Sequence, residues 1–413
     1  ARGVNGRVDS RGPVWNNPPR GLDIRIAGGR VVKKQWAMVF LAAMFLGAFA
    51  GCHKKKADRP VPGASDSAAR KPADSGLDIS GLEPPLRGLV ERLQSASAGD
   101  RADAARELGE MGPDAARAAP ALMFALKDPA DEVRTQAAAA LRWIGEAAAP
   151  ASDALLAALK DKSATVRAQA AAALGAVGAN PDDALPALIH ALKDRDESVR
   201  MAAAGALGWF RESAEPAVPD LMECLGDPSA VVRERAANAL GMIGEAAAPA
   251  APELIALLDD PDPTVQANAA MALGALGREA AAQAVPALLR VLGSGGERIK
   301  IYALQGLRDM GEAAAPAVPV LKTHLRHTDP AVRQYAADAL GKIGEAAAPA
   351  VPDLARLLND PDPDVRLYAA QSLYSVGAPA KSALPAIRQR LRNESDDDVR
   401  KMLEFSLDWI EAH

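Results

Sequence analysis

Residues 144–151 read Ile-Gly-Glu-Ala-Ala-Ala-Pro-Ala, and the same eight residues recur at 243–250 and 343–350. A wider repetition surrounds them, in which one basic or polar position returns every 33 or 34 residues. That position holds Arg101, Arg134, Arg167, Arg200, Arg233, Gln266, Lys300, Arg333, Arg366 and Arg400, and each is followed seven residues later by leucine. Self-similarity at one short period is the signature of a repeat architecture. Residues 82–413 are therefore predicted to contain about ten copies of one unit.

Each copy is predicted to form two helices. The first has apolar residues four positions apart, such as Leu254 and Leu258, after a proline that suits a first helical turn. The second begins at a Ser or Asp able to accept free N–H groups and ends near a glycine. Val265, Ala269 and Leu273 share one face of the second helix. Because one pair of helices cannot bury that face alone, neighbouring copies must stack, and the expected fold is an all-α, right-handed α-solenoid.

Charge and cysteine content argue against several functions. The chain has 48 Lys and Arg against 53 Asp and Glu, and residues 1–81 hold 14 of the basic and 6 of the acidic residues. The remainder is therefore acidic, with a net charge of −13 over residues 82–413. Nucleic-acid binding relies on clustered cations, so no nucleic-acid partner is expected. Two cysteines provide neither a disulfide framework nor a cysteine-based zinc site.

No metal, cofactor or catalytic motif is evident. Of five histidines only His324 and His327 are close in sequence, and no Cys or carboxylate cluster accompanies them. Residues 293–296 read Gly-Ser-Gly-Gly but lack the Lys-Ser/Thr that completes a phosphate-binding loop. Cys224 lies within a predicted first helix as a small core residue. The chain is therefore expected not to be an enzyme.

The N-terminal region has the pattern of an export signal. Two lysines precede an apolar run that ends at Cys52, and residues 33–51 are interpreted as a signal peptide. The run is short for a membrane-spanning helix, which needs about 20 residues. Residues 1–32 are interpreted as an upstream extension. Residues 52–81, rich in Pro, Ser, Asp, Ala and Gly, are predicted to be a flexible linker.

The five residues that end at Cys52, Ala-Phe-Ala-Gly-Cys, resemble the lipobox of bacterial lipoproteins, although Phe49 departs from the usual aliphatic residue. The resemblance implies that Cys52 is acylated after cleavage just before it; the alternative is an uncleaved signal anchor. Either form would place the chain outside the cytoplasm, tethered in a bacterial cell envelope. His53 stands where some inner-membrane lipoproteins carry Asp, which favours the outer membrane.

The repeated unit Asp-Pro-x-x-x-Val-Arg-x-x-Ala-x-x-x-Leu-Gly-x-Ile-Gly resembles the HEAT repeat, particularly the phycobilisome-lyase-type subclass. The resemblance implies that a turn Asp and an Arg six residues later form a ladder that links successive units. The matching residues are Asp128 and Arg134, Asp161 and Arg167, Asp194 and Arg200, Asp227 and Arg233, and Asp360 and Arg366. The units with Gln266, with Lys300, and with His327 before Arg333 are expected to interrupt the ladder, whose role would be structural.

The exposed face of the second helices, which lines the concave surface of HEAT solenoids, is the candidate binding surface. Tyrosine stands two positions after the repeated basic position in three consecutive units, and tryptophan stands nine positions after it in three units. Exposed Tyr and Trp are typical of protein interfaces. The candidate residues are Trp143, Trp209, Tyr302, Tyr335, Asp338, Lys342 and Tyr368. The alternative is that these rings only cover the next helix.

These patterns together predict a non-catalytic scaffold that binds a protein partner of unknown identity, in an unknown oligomeric state. One alternative is a HEAT-type enzyme, lyase-like or oxidoreductase-like, with a pocket on the concave face; another is a mechanical spacer. The unit at 293–309 has an inserted residue, three glycines in its turn and Lys300 for Arg. It is predicted to be the most flexible joint, unless the irregularity is harmless.

Overall fold

The computed structural model describes residues 81–413, which fold into ten successive pairs of helices without a β-strand in that range. In chain order the pairs are α1 (Pro84–Arg92) with α2 (Ala98–Glu110), α3 (Ala119–Ala125) with α4 (Asp131–Ile144), α5 (Ser152–Ala158) with α6 (Ala164–Ala176), α7 (Pro181–Ala191) with α8 (Glu197–Trp209), α9 (Val218–Cys224) with α10 (Ala230–Ile243), α11 (Ala251–Ala256) with α12 (Pro263–Ala275), α13 (Gly277–Ser294) with α14 (Glu297–Asp309), α15 (Val318–His324) with α16 (Pro330–Ile343), α17 (Val351–Leu357) with α18 (Pro363–Val376), and α19 (Leu384–Leu391) with α20 (Asp397–Ala412). Each pair is one unit, numbered 1 to 10, and the even-numbered helices are the second helices. The predicted all-α fold is confirmed.

The second helices stack in register. Each contacts the second helix of the unit before and after it, from α2 through α20. The leucine seven positions after the repeated basic position is fully buried in the first nine units, as at Leu141 and Leu240. Small residues bring the backbones close, because a Cβ on Gly109 would lie only 3.0 Å from the Ala140 Cα. Apolar burial and close helix contact together therefore hold each unit against its neighbours.

Seven of the nine junctions between units are 3-10 segments, and four of these have the repeated sequence Gly-Glu-Ala-Ala-Ala-Pro-Ala, as in Gly145–Ala151. Gly145 has a φ of 71°, a left-handed conformation that residues with a Cβ adopt only at a cost. Equivalent glycines with positive φ occupy eight of the nine junctions among residues 81–413, and Arg211, with a φ of 50°, occupies the ninth. At every junction, the residue with positive φ turns the chain from a second helix into the next unit.

Side chains cap the starts of most second helices that were expected to be capped. Ser97, Asp196, Asp262, Asp329, Asp362 and Asp396 each accept a backbone N–H of the following turn. Ser163 and Ser229 stand at the same position but make no such bond, so that part of the expectation is wrong. In those two units the turn is held instead by the carboxylate two residues earlier, which accepts the serine N–H, as at Asp161 (2.8 Å).

Residues 230–259 are long and apolar enough to cross a membrane by length and composition alone. In this fold they form α10, a 3-10 segment, α11 and a short 3-10 turn at Leu257–Asp259, and Val232, Leu240 and Leu254 are fully buried within the solenoid. The apolar content of this stretch is thus what stacking requires. Residues 1–80 lie outside the described range, so the upstream extension, the signal peptide, Cys52 and the linker remain predictions.

Candidate functional site

A ladder of arginine–carboxylate forks ties each unit to the next. The Nε and Nη2 atoms of Arg134 donate to the carboxylate of Asp161 at 2.7 and 2.9 Å, while Nη1 donates to the backbone carbonyl of Asp128 at 2.8 Å. The side chain of Arg134 therefore pairs with Asp161, 27 residues later, and not with the carboxylate of Asp128 in its own turn. Bidentate arginine–carboxylate pairs fix geometry as well as supplying energy.

The same pairing recurs along the chain and corrects the pairs read from sequence spacing. The forks are Arg101 with Asp128, Arg134 with Asp161, Arg167 with Asp194, Arg200 with Asp227, Arg233 with Asp260, Arg333 with Asp360, and Arg366 with Glu394. The hydrogen bond from Arg167 holds the pKa of Asp194 below its ordinary value, so the carboxylate stays charged at neutral pH.

The ladder is interrupted at units 6 and 7. Gln266 donates to the carbonyl of Asp260 at 2.7 Å but reaches no carboxylate of unit 7. Lys300 bonds Glu297 within its own helix at 2.9 Å, and His327 occupies the place of the turn Asp. Arg333, which was expected to belong to the interruption, makes an ordinary fork with Asp360. The expectation is therefore wrong for Arg333, because the fork depends on the carboxylate ahead and not on the turn residue behind.

We define the second-helix face as the residues two positions before and two, five and nine positions after the ladder arginine or its equivalent. Six large hydrophobic side chains among residues 81–413 are exposed, and five of them lie on this face. They are Trp143, Trp209, Val231, Phe405 and Trp409; the sixth, Phe124, lies on α3. The face is also nearly uncharged in units 2 to 6, where only Glu132 and Arg235 among twenty residues are ionisable. This surface therefore differs sharply from the charged remainder of the chain.

The three tyrosines of the second-helix face are half-buried. Tyr302, Tyr335 and Tyr368 all pack against the core while part of each ring stays accessible. The alternative that these rings cover a neighbouring helix is thus supported in part. Burial raises the pKa of Tyr368, and the nearby charge of Asp338 raises it further, so the phenol stays protonated and can donate a hydrogen bond.

Asp338 and Lys342 both belong to the second-helix face, but Asp338 is buried, contrary to the exposure expected of it, whereas Lys342 is exposed. The Nη1 atom of Arg308 lies 3.7 Å from Asp338, and Nη2 lies 2.7 Å from Asp309. Burial raises the pKa of Asp338 although Arg308 and Lys342 oppose that shift. The structure therefore brings Tyr335, Asp338 and Tyr368 into one cluster around Arg308, which the sequence analysis did not name.

A second aromatic group lies at the end of the same face. The ring of Tyr374 is 4.9 Å from Phe405 and 5.5 Å from Trp409, and Trp409 stacks on His413 at 3.8 Å. Offset and tilted ring pairs at such distances attract one another. Phe405 stands at position five and Tyr374 at position eight, so listing aromatic residues by their position in the unit would have revealed the group.

Comparison with known proteins identifies the family. Models of HEAT repeats match residues 86–152, 152–241, 218–306, 251–328, 285–351 and 318–408. This chain is a HEAT-repeat protein. Among solved structures it is similar to the complex of CpcE and CpcF of phycocyanin lyase from Nostoc sp. PCC7120, with 27% identity over 63% of this chain and 94% of that chain and a TM-score of 0.37. It is also similar to Kap121p bound to Nup53p, with 16% identity over 80% of this chain and 42% of that chain and a TM-score of 0.46. No curated protein matches.

The HEAT units offer little reactive chemistry between residues 81 and 413. No group of three metal-binding side chains comes together in that range. Burial raises the pKa of the Cys224 thiol to about 11, so this thiol stays protonated and unreactive at neutral pH. An open cleft of about 460 Å³ is lined in part by Arg326, Arg333 and Arg356. Its guanidinium groups already bind carboxylates, Arg333 binding Asp360 and the other two binding Asp353.

Proposed function

We propose that this HEAT-repeat protein is a non-catalytic scaffold that binds a protein partner along its second-helix face and is tethered by Cys52 outside the cytoplasm of a bacterium. The observation that carries the proposal is the concentration of exposed aromatic and apolar side chains on that face: five of six in the described range. Trp143 and Trp209 leave more than half of their surface in water, at 55% and 56%. Covering such side chains with a partner removes apolar surface from water and so favours binding.

The charge distribution supports a protein partner over an ionic ligand. Units 2 to 6 present Thr, Gln, Asn, Met, Ala and Trp on the second-helix face, with two ionisable side chains among twenty. Fully buried centres of protein interfaces are depleted in charge and enriched in Trp, Tyr and Met. The binding surface would therefore be an elongated strip, suited to a partner segment that crosses several units.

The tether rests on the sequence before the solenoid. The apolar run at 36–50 and Cys52 have the order expected of an exported, acylated chain. A flexible linker of residues 52–81 would have an end-to-end distance on the order of 30 Å. The solenoid would thus stand clear of the lipid surface and expose both of its faces.

Capture of the partner tests the proposal. The Tyr335→Ala/Tyr368→Ala double variant and the Trp143→Ala/Trp209→Ala double variant are compared with the full wild-type chain as crosslinked baits in envelope extracts. Phe124→Ala is the matched control, because Phe124 is an equally exposed ring, at 53%, on the other helix layer. We expect both double variants to lose at least about tenfold of the captured partner and Phe124→Ala to retain it.

Two outcomes would overturn the proposal. Equal capture by the double variants and by wild type would show that the second-helix face is not the binding surface. A metal or chromophore retained stoichiometrically on purification would argue for the enzyme alternative. Circular dichroism of each variant before capture ensures that lost binding reflects the face and not unfolding.

A further inference from the structure

The position eight residues after the ladder arginine lies between adjacent second helices. Six units hold glycine there, where the next helix passes too close for a side chain: Gly109, Gly175, Gly208, Gly241, Gly274 and Gly341. A Cβ on Gly175, for example, would lie 3.1 Å from the Cα of Ala206. Units 2 and 7 instead hold arginine, at Arg142 and Arg308. Each places a guanidinium at the groove between two second helices.

The guanidinium of Arg308 has carboxylate partners within the chain. The residue after it is Asp309, and the fifth position of the next unit is Asp338, at 2.7 and 3.7 Å from its guanidinium nitrogens. Burial alone would lower the pKa of Arg308, but the two carboxylates outweigh burial and the pKa is raised. A partly buried guanidinium is thus compensated by acidic residues of the chain itself.

The guanidinium of Arg142 lacks the two carboxylate partners that Arg308 has. The residue after it is Trp143 where unit 7 has Asp309, and the fifth position of the next unit is Ala172 where unit 8 has Asp338. Burial lowers the pKa of Arg142, and no carboxylate of residues 81–413 compensates it. The nearest acidic side chain on the second-helix face of units 2 and 3 is Glu132, ten residues earlier and about 15 Å away along the helix.

The surroundings of Arg142 leave its donors available. Its guanidinium carbon lies over the Trp143 ring, 5.1 Å from the centroid. A cation–π contact takes up none of the guanidinium N–H donors, which remain available to a carboxylate. Gln169, which takes the place of Tyr335 in unit 3, has a buried Oε1 without a hydrogen-bond partner. Arg142 of unit 2 and Gln169 of unit 3 therefore stand at the repeat positions that Arg308 and Tyr335 occupy in units 7 and 8. Among residues 81–413, the guanidinium of Arg142 has no carboxylate partner and the Oε1 atom of Gln169 has no donor.

We propose that Arg142, Trp143 and Gln169 form a binding site for an Asp or Glu side chain carried by an extended segment of the partner protein. The carboxylate would accept N–H groups of Arg142, an adjacent apolar group would pack on Trp143, and the partly exposed Gln169 side chain would turn its buried Oε1 outward to accept a segment N–H. The second-helix face continues past Arg142 in both directions, so the bound segment need not end there, which favours a side-chain carboxylate over a C-terminal one. This inference rests on the proposed function and specifies the chemistry of the partner.

The test uses the full chain and random twelve-residue segments displayed as internal loops of a carrier protein, so that no segment has a free C-terminus. We expect recovered segments to be enriched in one Asp or Glu flanked by uncharged residues. Arg142→Gln should weaken a recovered Glu segment about tenfold and should not weaken its Glu→Gln counterpart further. Arg195→Gln removes the same charge from an exposed turn and should bind as wild type does.

A second variant supplies the missing carboxylate from within. Ala172→Asp copies the relation of Asp338 to Arg308, so we expect it to compete with the acidic segment and reduce its binding about tenfold, with thermal stability unchanged or raised. Recovered segments without an acidic preference, or ones indifferent to Arg142→Gln and Ala172→Asp, would overturn the inference and leave the proposed function standing. The same segments are also displayed with free C-termini, and recovery from that second library alone would overturn the side-chain assignment. If no segment is recovered from either library, both the inference and the proposed function fail.

Discussion

Between residues 81 and 413, Arg211 is the one residue with a side chain whose φ is positive. It has a φ of 50° at the junction after unit 4, where the other eight junctions have glycine. A left-handed conformation costs a residue with a Cβ roughly 1–2 kcal/mol. Arg211 is also exposed and forms no ion pair within residues 81–413, so little is lost with its side chain.

We therefore expect Arg211→Gly to raise the free energy of unfolding by about 1 kcal/mol, measured from the denaturation midpoint. Gly244→Ala is the reciprocal control. Gly244 has a φ of 78°, and a Cβ there would meet only the Ala275 carbonyl oxygen at an ordinary contact distance of 3.7 Å, so alanine should destabilise by a similar amount through backbone strain alone. A less stable Arg211→Gly chain would show that the side chain contributes more than the strain costs.

Glu394 is the most heavily bonded carboxylate of the ladder. Arg366 donates to both of its oxygens at 2.9 Å, Arg390 donates at 2.8 Å, and two backbone N–H groups donate as well. Burial opposes ionisation, but these hydrogen bonds outweigh it and hold the pKa of Glu394 well below its usual range. Folding therefore favours the charged carboxylate.

The direction of that shift fixes the pH dependence. The stabilisation is complete above the unfolded pKa of about 4.3 and is lost as pH falls towards the lower folded pKa. We expect the midpoint temperature of unfolding of the wild-type chain to fall when the pH is lowered below about 4. Glu394→Gln should cost roughly 3 kcal/mol at pH 7 and flatten the acid part of the profile. Parallel acid profiles for the two chains would contradict this account.

At the scale of elements, the joint at units 6 to 8 combines close helix contact with missing forks. A Cβ on Gly274 would lie 2.6 Å from the Cα of Gly306, so α12 and α14 touch backbone to backbone. In place of a ladder fork, units 6 and 7 have an exposed fork between Arg290 and Asp259. Between units 7 and 8, the imidazole of His327 lies 3.3 Å from the exposed Glu297. Exposed pairs contribute little, so fewer interactions resist local opening of this joint.

We expect amides at 290–305 to exchange hydrogen faster than those at 340–360. The Lys300→Arg/His327→Asp double variant should rebuild the missing fork, because residue 327 already accepts the N–H of Asp329 as the turn aspartates do, at 3.1 Å. Exchange at 290–305 should then slow severalfold. Equal protection of the two segments in the wild-type chain would remove the hinge interpretation.

The elements also show where periodicity stops being informative. The 33-residue period predicted the stacked second helices, since leucine and alanine at fixed offsets can be buried only in that way. The 3-10 segments were not predicted, because an Ala-rich stretch favours a helix without indicating its type. The glycine before it does not decide the type either, since Gly277 has the same positive φ and begins the α-helix α13 directly. Likewise the period gives the positions of Arg134, Asp128 and Asp161, but which carboxylate faces the arginine depends on how far one unit is displaced from the next.

The candidate site was predictable as a surface and not as a set of contacts. The candidates at positions two and nine were expected to face solvent, and Trp143 and Trp209 at position nine do, whereas Asp338 at position five is buried. The tyrosines are half-buried because a long side chain lies back along its own helix onto the neighbouring one. The pairing of Arg308 with Asp338 joins two units, and no single unit of the sequence displays it.

On the scale of the whole molecule, the two cysteines are expected to behave differently. Cys224 is buried, with a pKa of about 11, whereas Cys52 follows the apolar run of the predicted signal. We expect a clickable fatty acid fed to expressing bacteria to label the chain, Cys52→Ser to abolish the label, and Cys224→Ala to retain it. A labelled Cys52→Ser chain would contradict lipid attachment at that residue.

The distance of 27 residues between each arginine and its carboxylate has a consequence for the length of the molecule. Arg101, Arg134, Arg167, Arg200 and Arg233 each meet an aspartate at that same separation, so the interfaces of these units are interchangeable. Excising residues 135–167 would place Arg134 27 residues before Asp194, the aspartate that Arg167 binds in the full chain. The protein can thus be shortened or extended in whole steps of 33 residues, and its span is a quantity that duplication of a gene segment can adjust without disturbing the joints on either side.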